Sequence, residues 1–90
     1  MKLSIIIPAY NEERTISELL SRVDELDLGK TEKEIIIIDD GSKDKTLSII
    51  KDFGKNKKNV KILEHKKNRG KGAAVVTGIK EAAGDILIIQ

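Results

Sequence analysis

Glu34-Ile35-Ile36-Ile37-Ile38-Asp39-Asp40-Gly41-Ser42 decides the fold of this chain. Four consecutive isoleucines leave neither side of a strand polar, and strands apolar on both faces belong to parallel sheets covered by helices on both sides. The run stops abruptly at two carboxylates, a glycine and a serine. A second stretch has the same form: Ile5-Ile6-Ile7 leads into Pro8-Ala9-Tyr10-Asn11-Glu12-Glu13. Open α/β sheets bind ligands outside the carboxyl ends of their strands. The polar residues that follow these two runs are therefore the first candidates for function.

Working outward, periodicity and punctuation give an α/β chain of order βαβαβαβ. The first strand is expected at Leu3–Ile7, ended by Pro8. Asn11 reads as an N-cap, with Glu12 and Glu13 in the first helical turn where the helix dipole favours anions. Ile16, Leu19, Leu20, Val23 and Leu26 keep helical spacing up to Gly29. A strand at Glu34–Ile38 follows, then a helix that starts between Ser42 and Asp44 and carries Leu47, Ile50 and Phe53 on one side. Val60–Leu63 reads as a third strand, Gly72–Ala83 as a small-sided helix that packs closely on the sheet, and Ile86–Ile89 as a fourth strand. Right-handed crossovers then predict an open parallel sheet of order 3-2-1-4. Its switch point lies between strands one and four, so the sequence reads as cut off beside its own binding site.

Ninety residues make one small domain, burying about 60–65% of the surface its unfolded chain exposes. There is no cysteine, which excludes a disulfide framework or thiolate metal site and fits a reducing compartment. No apolar run approaches the ~20 residues of a membrane span, and the start lacks the form of a signal peptide. A cytoplasmic location is the expectation. The net charge of +2 conceals an asymmetry: residues 1–50 hold seven basic and eleven acidic groups, residues 51–72 nine basic and two acidic. The basic block reads first as a solvated helix end and loop, and second as a face for phosphate or an anionic membrane. Nucleic acid is a poor fit, because Tyr10 and Phe53 are the only aromatics available to stack on bases.

Three constellations carry chemistry. In Asp39-Asp40 the two carboxylates point to opposite faces of their strand, so one can accept hydrogen bonds from a ribose or base while the other supports the turn at Gly41-Ser42. Tyr10, at the mouth of strand one, can stack on a base or sugar. Asn68-Arg69-Gly70-Lys71-Gly72 precedes a helix, and its backbone amides, with Arg69 and Lys71, suit an anion. It is neither a P-loop nor a dinucleotide fingerprint, since the required glycine and lysine spacings are absent. His65 has no partner at metal-ligand spacing and reads as a surface loop residue. Asp85 reads as a turn residue.

Taken in order, Ile-Ile-Pro-Ala-Tyr-Asn-Glu, Ile-Ile-Asp-Asp-Gly-Ser-Lys-Asp, Asn-Arg-Gly-Lys-Gly and Ala-Gly-Asp closely resemble the start of family 2 glycosyltransferases. Within them the pattern is most similar to the dolichyl-phosphate mannosyltransferase and polyprenyl-phosphate glycosyltransferase branch. The resemblance covers all 90 residues. It implies a GT-A (Rossmann-like) fold, a GDP- or UDP-linked sugar donor, a divalent cation (Mg or Mn), and a polyprenyl-phosphate or other glycosyl acceptor. Residues 1–90 would be a partial domain, the N-terminal nucleotide-sugar-binding half of the catalytic domain.

By position, the resemblance places Pro8, Tyr10 and Glu12 around the base and ribose. Ile38 and Asp40 complete that pocket, with Asp40 accepting a hydrogen bond from the base and Asp39 acting as a structural acid. Arg69 and Lys71 are weaker candidates for the diphosphate side. The family's metal-binding Asp-X-Asp motif would begin immediately after Gln90, so no catalytic or metal-binding residue is expected within the chain. Any membrane helices would also lie further downstream. The 90 residues alone are expected to be inactive and, with exposed strand edges, prone to self-association. The other class of reading is a non-catalytic nucleotide-binding module. A nicotinamide-dependent Rossmann enzyme is disfavoured because strand one lacks a glycine-rich turn. A phosphoacceptor receiver is disfavoured because its acids belong after strands one and three.

Overall fold

A computed structural model describes the backbone of residues 1–90 and every side chain except that of Ile86. Seven elements alternate: β1 (Lys2–Ala9), α1 (Ile16–Asp24), β2 (Glu32–Asp40), α2 (Thr46–Gly54), β3 (Val60–His65), α3 (Lys71–Glu81) and β4 (Ile86–Ile89). The strands form one parallel sheet of order β3-β2-β1-β4, the expected topology.

Because both faces of β1 and β2 are apolar, the core is double. On one face Ile5, Ile7, Ile35 and Ile37 pack against Ile16, Leu20 and Val23 of α1 and Ile50 of α2. On the other, Ile6, Ile36 and Ile38 meet Ala74 of α3. Each fully buried isoleucine contributes roughly 1.5–3 kcal/mol relative to exposure. The α3 face is thin because the helix presents small residues. A Cβ on Gly78 would come within 2.5 Å of Ile6 Cγ2 and 2.8 Å of Ile38 Cδ1, so only glycine permits this approach.

Several element ends differ from expectation, each for a local reason. Pro8 does not end β1; it lies in register with Ile38. The ladder to β4 ends at Ile6 and Ile89, so the missing Pro8 N–H interrupts no pairing there. Asn11 is not an N-cap. Its φ is 49°, and α1 begins only at Ile16 after Thr15. The amides of residues 11–13 turn instead toward the segment after β2: Asn11 N–H donates to Ser42 Oγ at 2.9 Å, Glu12 N–H to Thr46 Oγ1 at 2.8 Å and Glu13 N–H to Asp44 Oδ2 at 3.3 Å. Lys43 N–H returns a bond to Asn11 Oδ1 at 2.8 Å. The two carboxyl-edge loops are thus laced together, and α2 starts at Thr46 rather than at Ser42–Asp44. β3 runs on to His65, because Glu64 and His65 pair with Asp39 and Asp40.

No helix among the described residues is long and apolar enough to cross a membrane.

Candidate functional site

At the carboxyl edge, the segments after β1 and β3 and the last residue of β2 line a cavity of about 230 Å³. Its lining brings together Pro8, Tyr10, Glu12, Asp40 and Lys71, all singled out in the sequence, and adds Asn68. Tyr10 is 41% exposed, so its ring face is available to a planar ligand. Two sequence candidates stand elsewhere. Ile38 is fully buried in the core beneath α3, and the exposed Arg69 borders a separate groove beside Glu64–Asn68.

The adjacent carboxylates of β2 do face opposite ways and have different partners. Asp39, on the α1–α2 side, accepts from Ser42 N–H at 3.2 Å through Oδ2, the Asx-type turn that supports Gly41. Its Oδ1 is buried and has no hydrogen-bond partner among the described residues. Gly41 itself, at φ 74°, sits so close to Lys67 and Asn68 that a Cβ would lie 2.6 Å from Asn68 N.

Asp40, on the α3 side, is 2% exposed and accepts four hydrogen bonds. His65 Nδ1–H (2.7 Å) and Arg69 N–H (2.9 Å) reach Oδ1; Gly70 N–H (2.8 Å) and Asn68 Nδ2–H (3.1 Å) reach Oδ2. Burial opposes its charge, but the Arg69 amide, the His65 ring and the Gly70 amide outweigh burial and hold the carboxyl below its ordinary value of 3.8. Asp40 thereby fixes the loop that leads into α3.

His65 departs from the sequence reading. It is not a surface loop residue but 8% exposed, bonded to Asp40 on one side and through Nε2 to Thr77 Oγ1 at 2.9 Å on the other. The pairing of Asp40 with His65 across β2 and β3 creates this contact, and spacing in a single sequence carries no sign of it. Asn68 also went unassigned, although it opens the Asn-Arg-Gly run; its role appears only once that run is folded over Asp40.

The sequence profile of glycosyl transferase family 2 matches residues 4–90. The chain belongs to that family. Among relatives, it is 39% identical over 90 residues to the dolichol-phosphate mannosyltransferase of Pyrococcus furiosus, covering 100% of this chain and 25% of the relative. Among solved structures, the Pyrobaculum calidifontis mannosyltransferase PcManGT, in complex with GDP-Man and Mn2+, superposes with a TM-score of 0.85 at 29% identity, covering 94% of this chain and 25% of that one. TarS 1–349 of S. aureus, in complex with UDP-GlcNAc, does so with 0.87 at 38% identity, covering 99% and 26%. The chain therefore has the GT-A fold and spans about a quarter of the length of the relatives it matches.

Within this family 2 chain, no group of three or more His, Cys, Asp or Glu side chains among the described residues is placed to hold a metal ion. The cavity presents an exposed ring, Tyr10, the carboxylates of Glu12 and Asp40, and the ammonium of Lys71.

Proposed function

We propose that residues 1–90 are the nucleotide-sugar-binding half of a glycosyltransferase that moves a sugar from a GDP- or UDP-linked donor to a polyprenyl- or dolichyl-phosphate acceptor. The observation that carries this reading is the cavity that gathers Pro8, Tyr10, Glu12, Asp40 and Lys71 at the sheet's carboxyl edge. Tyr10 stacks on the base, a contact worth about 1–3 kcal/mol. Lys71 offsets diphosphate charge, and Arg69, beside the neighbouring groove, adds positive potential from a greater distance.

Asp40 reads the base edge, but its roughly four acceptor positions are already filled. A base N–H therefore takes the place of the longest of these bonds, that of the Asn68 side chain at 3.1 Å. Asn68 is the adjustable part of the pocket. Ile38, buried beneath α3, supports the pocket through the core without lining it.

The polyprenyl-type acceptor is supported by the dolichol-phosphate mannosyltransferase relative; the donor class by the GDP-Man and UDP-GlcNAc complexes of similar structures. Transfer uses a divalent cation, in keeping with the Mn2+ of PcManGT, through ligands other than those described here. The whole protein works in the cytoplasm, at the cytosolic face of the membrane that holds its acceptor.

A calorimetric titration of the folded chain with GDP and UDP tests the reading. Saturable binding to one of them, weakened in Asp40→Ala, is the expected result. A folded chain that binds neither would overturn it.

A further inference from the structure

α3 rests on the sheet through Ala74 and Gly78, its buried positions. Close approach brings dispersion contact, but interdigitating side chains are what set the position of one element along another. Ile6 and Ile38 fill the notch at Gly78, but the buried positions of α3, Ala74 and Gly78, send no large side chain into the sheet. A polar link adds to this fit.

The link is His65. Asp40, ionised, can only accept, so the ring donates from Nδ1 at 2.7 Å. In the neutral ring Nε2 then accepts the hydroxyl proton of Thr77 at 2.9 Å. Thr77 lies six residues into α3, well beyond the loop, whereas Arg69 N–H and Gly70 N–H bond the same Asp40 carboxylate directly before α3 begins. One ring and one carboxylate thus tie both the body of α3 and its leading loop to the ends of β2 and β3.

We infer that His65 is a positioning residue of the nucleotide pocket. It fixes α3 along its axis, and with it Asn68, which yields to the base at Asp40, and Lys71, which faces the donor diphosphate. His65 does not line that cavity and acts only through Asp40 and Thr77. The inference rests on the nucleotide reading above. It adds that breaking the link displaces Asn68 and Lys71 more than it does Pro8, Tyr10 and Glu12, which belong to the segment that ends β1 and follows it.

Thr77→Val removes the hydroxyl at nearly constant shape, and His65→Asn keeps a donor toward Asp40 while losing Thr77. Each is expected to weaken nucleoside diphosphate binding about tenfold, the loss of one buried hydrogen bond, with a smaller loss for the matching nucleoside, which makes no use of Lys71. Thr77→Ser, which restores the hydroxyl, is expected to recover the diphosphate affinity. In the ligand-free chain the amide resonances of residues 69–72 should shift in Thr77→Val and return in Thr77→Ser.

Equal loss for nucleoside and diphosphate, no loss for either, or unmoved amides would overturn the positioning role. A wild-type chain that binds no nucleotide would instead remove the functional reading, while the amide shifts would still decide whether His65 and Thr77 position α3.

Discussion

Asp39 and Asp40 are neighbours in sequence with opposite surroundings. One supports a turn and keeps a buried oxygen without a partner among the described residues; the other is filled with four donors. Replacing Asp40 by Asn puts an amide against donors and leaves buried groups unpaired. Asp40→Asn is expected to lose about 2–3 kcal/mol of stability, read by urea unfolding. Tyr10 is exposed, so Tyr10→Ala should leave the unfolding midpoint unchanged and lower nucleotide affinity about tenfold, read by calorimetry. That the two acids face opposite ways was legible in the sequence, because strand residues alternate faces. The grip of Asp40 on Arg69, Gly70 and His65 was not. It joins residues up to 30 positions apart, through a register that only the folded sheet defines.

At the scale of elements, the strands declared themselves because four isoleucines in a row can be buried only between two helical layers. Helix starts were misjudged. Asn11 and Glu12 have the chemistry of caps, but their amides, and Asn11 Oδ1, are spent on bonds to the β2–α2 segment; Asp44 accepts both Glu13 N–H across the loops and, locally, Thr46 N–H at the start of α2. The bonds of Asn11 and Glu12 come from another part of the chain and leave no local trace. The close seat of α3 leads to a further expectation. Gly78→Ala gains helix propensity, yet it drives a methyl into Ile6 and Ile38; a net loss of about 1–3 kcal/mol is expected by thermal or urea unfolding.

At the amino edge of the sheet, Glu34 is 2% exposed and accepts from Ser4 Oγ–H and Ala83 N–H, with Lys2 and Lys61 nearby. Burial works against its charge. The Ser4 and Ala83 bonds and the two lysines outweigh it, so the carboxyl titrates below its ordinary 4.5. A carboxyl lowered on folding stabilises the native state fully above its unfolded value and loses that contribution as pH falls through the folded one. Stability should therefore hold above about pH 5 and decline below about pH 4 as Glu34 and Asp40 take up protons. Glu34→Gln should make the acid decline shallower in urea unfolding across pH.

The whole molecule separates its tasks between the two ends of the sheet. The amino edge is closed by Glu34, which ties Ser4 to the turn after α3. The carboxyl edge carries the cavity and the loops that surround it. Along the remaining side, β4 pairs with β1 alone, and Leu87, Ile88 and Ile89 are 41%, 43% and 49% exposed. An unpaired apolar edge invites strand pairing. The chain by itself is expected to self-associate with rising concentration in sedimentation velocity, and Ile88→Lys to suppress this.

The central claim is that a nucleotide binds at the carboxyl edge. The most direct test is an amide-resolved NMR titration of the chain with GDP and with UDP. One nucleotide is expected to perturb residues 8–12, 40–42 and 68–72 together and to leave Ser4, Glu34 and residues 83–85 unmoved. Perturbations centred on the amino edge, or none with either nucleotide in a folded chain, would contradict it.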